Sequence, residues 1–185
     1  MTTLKPKKGR LLIADPTILD DNSFNRSIIL LTEYTKNSTV GFIFNKKLNY
    51  IVQDFFPKIK CNFSIYQGGP VEQDNLYFVH RVPHLIPNSI KVDKDIFWGG
   101  DFNSLKELLE NQKLKPSEIR FFLGYSGWEE QQLENEITNN SWFVSENDFS
   151  NILSPNNTSL WKNKLLQKGG KYKIWANAPS NYYLN

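Results

Sequence analysis

The chain holds one cysteine, Cys61, and two histidines, His80 and His84, in 185 residues. One thiol excludes an intramolecular disulfide, and so few Cys and His residues exclude the clustered ligand sets of structural zinc sites. No apolar run approaches the roughly 18 residues that a membrane helix needs, so no membrane span is expected. The basic N-terminus (Lys5, Lys7, Lys8, Arg10) is followed only by Leu11 to Ala14 before Asp15-Pro16, too short for the apolar part of a secretory signal. Long runs of one charge are also missing, and the net charge is only +3. These absences fit a cytoplasmic protein in a reducing compartment.

Aromatic residues are plentiful. Phe, Tyr and Trp make up 14% of the chain, enough to fill a core and leave rings at a surface. A chain of this length is expected to form one domain over residues 1–185 and to bury about 70% of its unfolded surface without a staple.

Short apolar and β-branched runs predict strands at Leu11 to Ala14, Ser27 to Thr32, Val40 to Phe44, Phe63 to Tyr66, Leu76 to Val82, Ile96 to Trp98 and Ile119 to Leu123. Trp142 to Val144 and Lys171 to Trp175 are read as two more. Helical spacing marks a short segment at Ile51 to Phe56 and a helix capped by Asp101 with Phe102, Leu105, Leu108 and Leu109 on its apolar face. A last helix carries Trp161 and Leu165, with Thr158 or Ser159 as its cap and Gly169-Gly170 at its end. Strands outnumber helices and do not alternate with them, which predicts an α+β fold.

The stretch Phe121 to Trp142 organises the rest. An apolar run leads into Gly124-Tyr125-Ser126-Gly127-Trp128, and an acidic amphipathic segment follows, so the pattern reads as strand, tight turn and helix. Gly124 to Gly127 is one residue too short for the Gly-x-Ser-x-Gly nucleophile elbow. Ser126 with Glu129 three residues later instead fits a capping box for the helix.

Several stations together resemble the YqgE/AlgH family. They are Gly9 with Leu11 to Pro16, Phe24 to Ile28, Gly41 to Lys46, Gly68-Gly69-Pro70-Val71, Phe122 to Trp128, Gln132 to Ile137, and Trp142. The resemblance implies a bacterial cytosolic α+β domain whose strongly twisted, bifurcated mixed sheet forms a pseudo-barrel with flanking helices. No activity, cofactor or catalytic residue set is settled for that family, so the resemblance supplies none. Family members carry the label of transcriptional regulators, which rests on a genetic effect and not on a DNA-binding module. In this chain Glu129-Glu130-Gln131 replaces the family's usual Gly-Pro-Gly-like turn, and Lys46 replaces a usual Arg, which removes planar bidentate recognition at that position.

The candidate ligand-binding residues are Arg26, Asn45, Lys46, Gly68, Gly69, Pro70, Gly124, Tyr125, Gly127 and Trp128. Gly68 and Gly69 could take φ > 0 and aim backbone N–H groups at an anion. Trp128 and Tyr125 would supply flat apolar contact. The expected function is a non-enzymatic binding or regulatory domain that acts through a small molecule or a protein partner. One alternative is a small-molecule enzyme using the same cleft, with His80 as its acid or base near neutral pH. The other is a direct DNA-binding regulator. Sequence-specific DNA binding is not expected, because the helix after Trp128 is acidic and the last helix lacks arginine. No metal or cofactor is expected. Cys61, with Lys58 and Lys60 upstream, would have a lowered pKa only if exposed beside those cations.

Overall fold

A computed structural model describes residues 4–18, 21–149, 152–155 and 159–179. The strands are β1 (Leu11–Ala14), β2 (Ile28–Tyr34), β3 (Thr39–Ile43), β4 (Lys47–Ile51), β5 (Ser64–Gln67), β6 (Val71–His80), β7 (Ile90–Asp93), β8 (Ile96–Trp98), β9 (Ile119–Trp128) and β10 (Trp142–Ser145). The helices are α1 (Val52–Phe55), α2 (Phe102–Glu110), α3 (Gln132–Thr138), α4 (Leu160–Lys168) and α5 (Tyr172–Asn177).

The fold is mixed α+β with a mostly antiparallel sheet, and the sheet forks at β9. Strand β6 runs antiparallel along one edge of β9, from His80 opposite Ile119 to Val71 opposite Tyr125. The other edge is shared. Phe121 to Leu123 pair in parallel with Ile65 to Gln67 of β5, whereas Ser126 to Trp128 pair antiparallel with Gly41 to Thr39 of β3. One branch continues as β3, β2, β1 and β10, and the other carries β5 and β4. Beyond β6 lie β8 and then β7, so among the described residues the sheet ends at β10 and β7 and stays open.

Burial follows the period-2 alternation of strands. Leu11, Ile13, Ile28, Leu30, Phe42 and Phe122 face one cluster, which Trp161 and Leu165 of α4 cover. Leu12, Ala14, Ile29, Leu31 and Ile43 face the other side, against Trp128, Trp142 and Leu133 of α3. A third cluster joins Ile65, Phe78, Ile119 and Phe121 to Leu105, Leu108 and Leu109 of α2. Strands β1 and β2 are therefore covered on both faces, which is why they read as continuous apolar runs.

Four expectations change. Gly124 to Trp128 is not a turn but the second half of β9, because that segment supplies the hydrogen bonds of β3. Ser126 does not cap a helix: its hydroxyl is buried and donates to the Gly68 carbonyl at 3.0 Å. Helix α3 starts later, behind Gln131 in a left-handed conformation, and the Gln132 side chain accepts from the Glu129 N–H. Lys171 to Trp175 does not form a strand but falls in and beside α5, where Tyr172, Trp175 and Ala176, at helical spacing, pack on the core beside Phe143. Asp101 does cap α2, accepting from Ser104 N–H at 2.7 Å. Ser159 makes no side-chain cap at α4, and Thr158 lies outside the described residues.

Candidate functional site

Arg26, Asn45 and Lys46 are brought together, and the fold uses all three. Asn45 accepts from the Ile28 N–H and donates to the Arg26 carbonyl, both at 2.8 Å. It thereby ties the end of β3 to the segment that enters β2. Lys46 Nζ donates to the Asn22 and Ser23 carbonyls at 3.0 and 2.7 Å, and burial lowers its pKa against the opposing pull of Asp21. Arg26, at φ 55°, donates to the Ala178 and Pro179 carbonyls and lies over the Trp161 ring at 5.2 Å. These donors and acceptors hold a loop and the chain after α5 in place.

Gly68, Gly69 and Gly124 meet at the crotch of the fork. Gly68 N–H donates to Leu123 O and Gly68 O accepts from Ile43 N–H, so one residue joins both branches. A Cβ on Gly68 would sit 2.0 Å from the Gly124 carbonyl oxygen, and one on Gly69 would sit 2.2 Å from the Tyr125 carbonyl. Neither Gly68 nor Gly69 takes a left-handed φ, and the expected anion nest is absent; glycine is required because three chain segments cross there. Gly124 does take φ +68°.

Trp128 is buried and contributes no open ring face. It packs with Phe24 at 6.2 Å and Trp142 at 6.1 Å between ring centroids. The indole N–H groups of Trp128 and Trp142 both donate to one oxygen of Glu136, at 2.8 and 2.7 Å, and Gln132 donates to the other oxygen. Of the residues singled out by sequence, Pro70 is exposed and Tyr125 and Gly127 are half-buried.

His80 is fully buried, and its hydrogen bonds go to Val82, Gly99 and Ser89 and not to Asn45 or Arg26. Its Nδ1 accepts from the Val82 N–H, which leaves the proton on Nε2, facing the Gly99 carbonyl at 3.1 Å and Ser89 Oγ at 3.0 Å. Burial lowers its pKa, so the ring is neutral near pH 7. Cys61 moves in the opposite direction from the exposed case: burial raises its pKa. No group of three or more His, Cys, Asp or Glu among the described residues could hold a metal ion.

Among the cavities that lie elsewhere, one polar and one largely apolar bear on function, and sequence reasoning missed both. The first, of about 270 Å³, opens between Leu11 of β1, the residues Asn147, Asp148, Ile152 and Ser154, and one face of α4. That face is Leu160, Asn163, Lys164 and Gln167, a helical stripe turned away from core-facing Trp161 and Leu165. Asn147 is 8% exposed, and its side-chain nitrogen has no hydrogen-bond partner among the described residues. Lys164 donates to Ser145 Oγ and Glu146 O, both at 3.1 Å, and burial lowers its pKa against Asp148 and Glu146. The second, of about 230 Å³, is walled by Arg120, Tyr66 and Asn62 among others. Helical spacing could have flagged the polar stripe of α4; no local pattern marks Asn147 or Arg120.

Fold and geometry together define a mixed α+β protein built on a forked, mostly antiparallel sheet. The chain belongs to the AlgH-like family, whose model (DUF179) matches residues 11–173. It is 41% identical over 183 residues to a UPF0301 protein of Parabacteroides distasonis, covering 97% of this chain and 92% of that one. A UPF0301 protein of Bacteroides thetaiotaomicron is 36% identical over 176 residues, covering 94% and 89%. Among solved structures, the Corynebacterium diphtheriae protein DIP2367 superposes with a TM-score of 0.78 at 22% identity, over 96% of this chain and 95% of that one. The solution structure of AlgH from Pseudomonas aeruginosa gives 0.71 at 21% identity, over 98% and 100%. These two likenesses concern the fold. No helix among the described residues is long and apolar enough to cross a membrane.

Proposed function

We propose that the chain is a regulatory binding domain of the bacterial cytoplasm that takes a small polar molecule in the cavity between Asn147 and α4. The observation that carries this reading is the cavity-lining Asn147, whose buried side-chain nitrogen has no partner among the described residues. An unsatisfied buried donor costs about 1–3 kcal/mol, and a ligand acceptor recovers that cost when the Asn147 side chain turns its closed-off amide toward the cavity. Lys164 adds positive charge beside it and Asp148 negative charge, so the cavity suits a compact ligand with both an acceptor and a donor.

The enzymatic alternative lacks its acid or base, because His80 is enclosed by its own hydrogen bonds. The DNA-binding alternative is weakened at α4. Lys164 turns inward to Ser145 and Glu146, and Lys168 lies over the Phe143 and Tyr172 rings, 3.6 and 4.2 Å from their centroids. From the sequence-derived surface we retain Pro70, Tyr125 and Gly127 as a strip that a protein partner would read in the liganded state.

A thermal-shift screen of amino acids, nucleotides, sugars and organic acids tests the reading. Asn147→Leu removes the unpaired donor and is expected to leave the unliganded melting temperature unchanged or higher, while abolishing the shift caused by any hit. If hits stabilise wild type and Asn147→Leu equally, or if none stabilises wild type, the assignment to this cavity is wrong.

A further inference from the structure

Arg120 is the second residue of the central strand β9 and is 3% exposed. Its two terminal nitrogens donate to the Phe44 and Ser154 carbonyls, each at 2.6 Å. The guanidinium lies over the rings of Tyr66, at 4.3 Å, and Phe44, at 5.3 Å. The ion pairs among the described residues are Arg10–Glu146, Arg81–Asp95 and Lys106–Glu110, so none offers Arg120 a carboxylate. A fully buried cation normally has a counter-ion, since two carbonyl dipoles offset only part of the desolvation cost. Burial shows in its chemistry too: the Arg120 pKa is pushed down to about 10.

The cavity of about 230 Å³ opens onto this side chain. Arg120 is the single charged residue in its described wall, and Phe63, Pro116 and Pro155 make much of the rest. One guanidinium balances one negative charge. A phosphate dianion would leave excess charge in a wall of low polarity, whereas a carboxylate matches the planar fork and its apolar body matches the proline and phenyl surfaces. We propose that this cavity is a second binding site, which takes a small monocarboxylate with an apolar body, its carboxylate on Arg120. The site is separate from the Asn147 cavity and stands without it; the Ser154 segment lies between the two, since Ser154 lines one and its carbonyl is held by the arginine of the other.

The test is an NMR titration of the full-length protein with benzoate, with benzamide as the uncharged isostere and inorganic phosphate as the dianion. Benzoate is expected to bind saturably, with a dissociation constant of about 1 mM or tighter for so small a ligand. The shifts should centre on Ser64, Tyr66 and Arg120. Benzamide and phosphate should bind at least about tenfold more weakly. Arg120→Lys, which keeps charge but loses the fork, should weaken benzoate about tenfold. Asn62→Trp places a large ring on an exposed wall residue without touching the core and should block benzoate; it decides the matter if the Arg120 variant fails to fold. Absence of saturable benzoate binding, equal binding of phosphate or benzamide, or undiminished binding by Asn62→Trp would each overturn the proposal.

Discussion

At the scale of single residues, polar side chains that look available in the sequence prove to be fold-bearing. Asn45 is the clearest example. Removing its amide would leave the Ile28 N–H and the Arg26 carbonyl without partners. Asn45→Ala is therefore expected to lower stability by about 1–3 kcal/mol in denaturant titration, and an unchanged midpoint would return Asn45 to the list of ligand contacts. His80 makes a prediction in pH. Its folded pKa lies below the usual 6.5 because burial penalises the charged ring. The unfolded chain then binds the extra proton, so the His80 contribution is complete above pH 6.5 and is lost as pH falls toward and through the folded value. Between pH 7 and 5, wild type should lose stability more steeply than His80→Gln, by up to about 1.4 kcal/mol per pH unit. Parallel curves for the two proteins would show that the histidine is not held neutral.

At the scale of elements, α3 is fastened by a carboxylate. Glu136 receives two indole N–H groups, from the last residue of β9 and the first of β10, while Leu133 enters the core on the same helix. The seven-residue helix is too short to be stable alone, so this attachment and apolar contact decide whether it forms. Glu136→Ala should cost about 3 kcal/mol, since each charge-assisted bond is worth about 1.5–3. Hydrogen exchange should accelerate in α3 and β10 and stay slow in α4. Uniform acceleration along the chain would mean that Glu136 supports the whole sheet and not this corner. The fork is a second element-scale device. Gly68 and Gly69 let β5 pass between β3 and β9, and Ser126 bonds the Gly68 carbonyl at the point of divergence.

At the scale of the whole molecule, charge decides the expectation for nucleic acid. The N-terminal cations carry no direct readout, Lys164 of α4 turns inward, Lys168 lies over the Phe143 and Tyr172 rings, and α3 is acidic. Non-specific attraction through Lys5, Lys7 and Lys8, with Arg10 paired to Glu146, would give a log–log salt slope of about −3 and no base preference. Titration of the protein against promoter and scrambled duplexes at physiological salt should show equal, weak binding. A hundredfold preference for the promoter, abolished by changes in α4, would reinstate the DNA-binding reading.

Sequence alone determined most of the strands, though not β4 or β7, which carry too few apolar residues to stand out. Runs such as Leu11 to Ala14 and Ser27 to Thr32 can be buried only on both faces of a sheet, and the period of the apolar residues says so without tertiary information. The order of motifs also placed the chain in its family. Only the tertiary structure decided where β9 ends and what its glycines and serine are for. A Gly-Tyr-Ser-Gly segment reads as a turn until β3 supplies its hydrogen bonds, because strand propensity depends on the neighbouring strand more than on the segment. The candidate sites divide in the same way. Arg26, Asn45 and Lys46 are conspicuous in the sequence because they are polar beside apolar runs, yet their partners are backbone groups that the fold brings from elsewhere, up to 153 residues away. Asn147 and Arg120 are inconspicuous in the sequence. What singles them out is an unpaired donor and an uncompensated charge, and both are properties of a closed interior that exists only after the chain has folded.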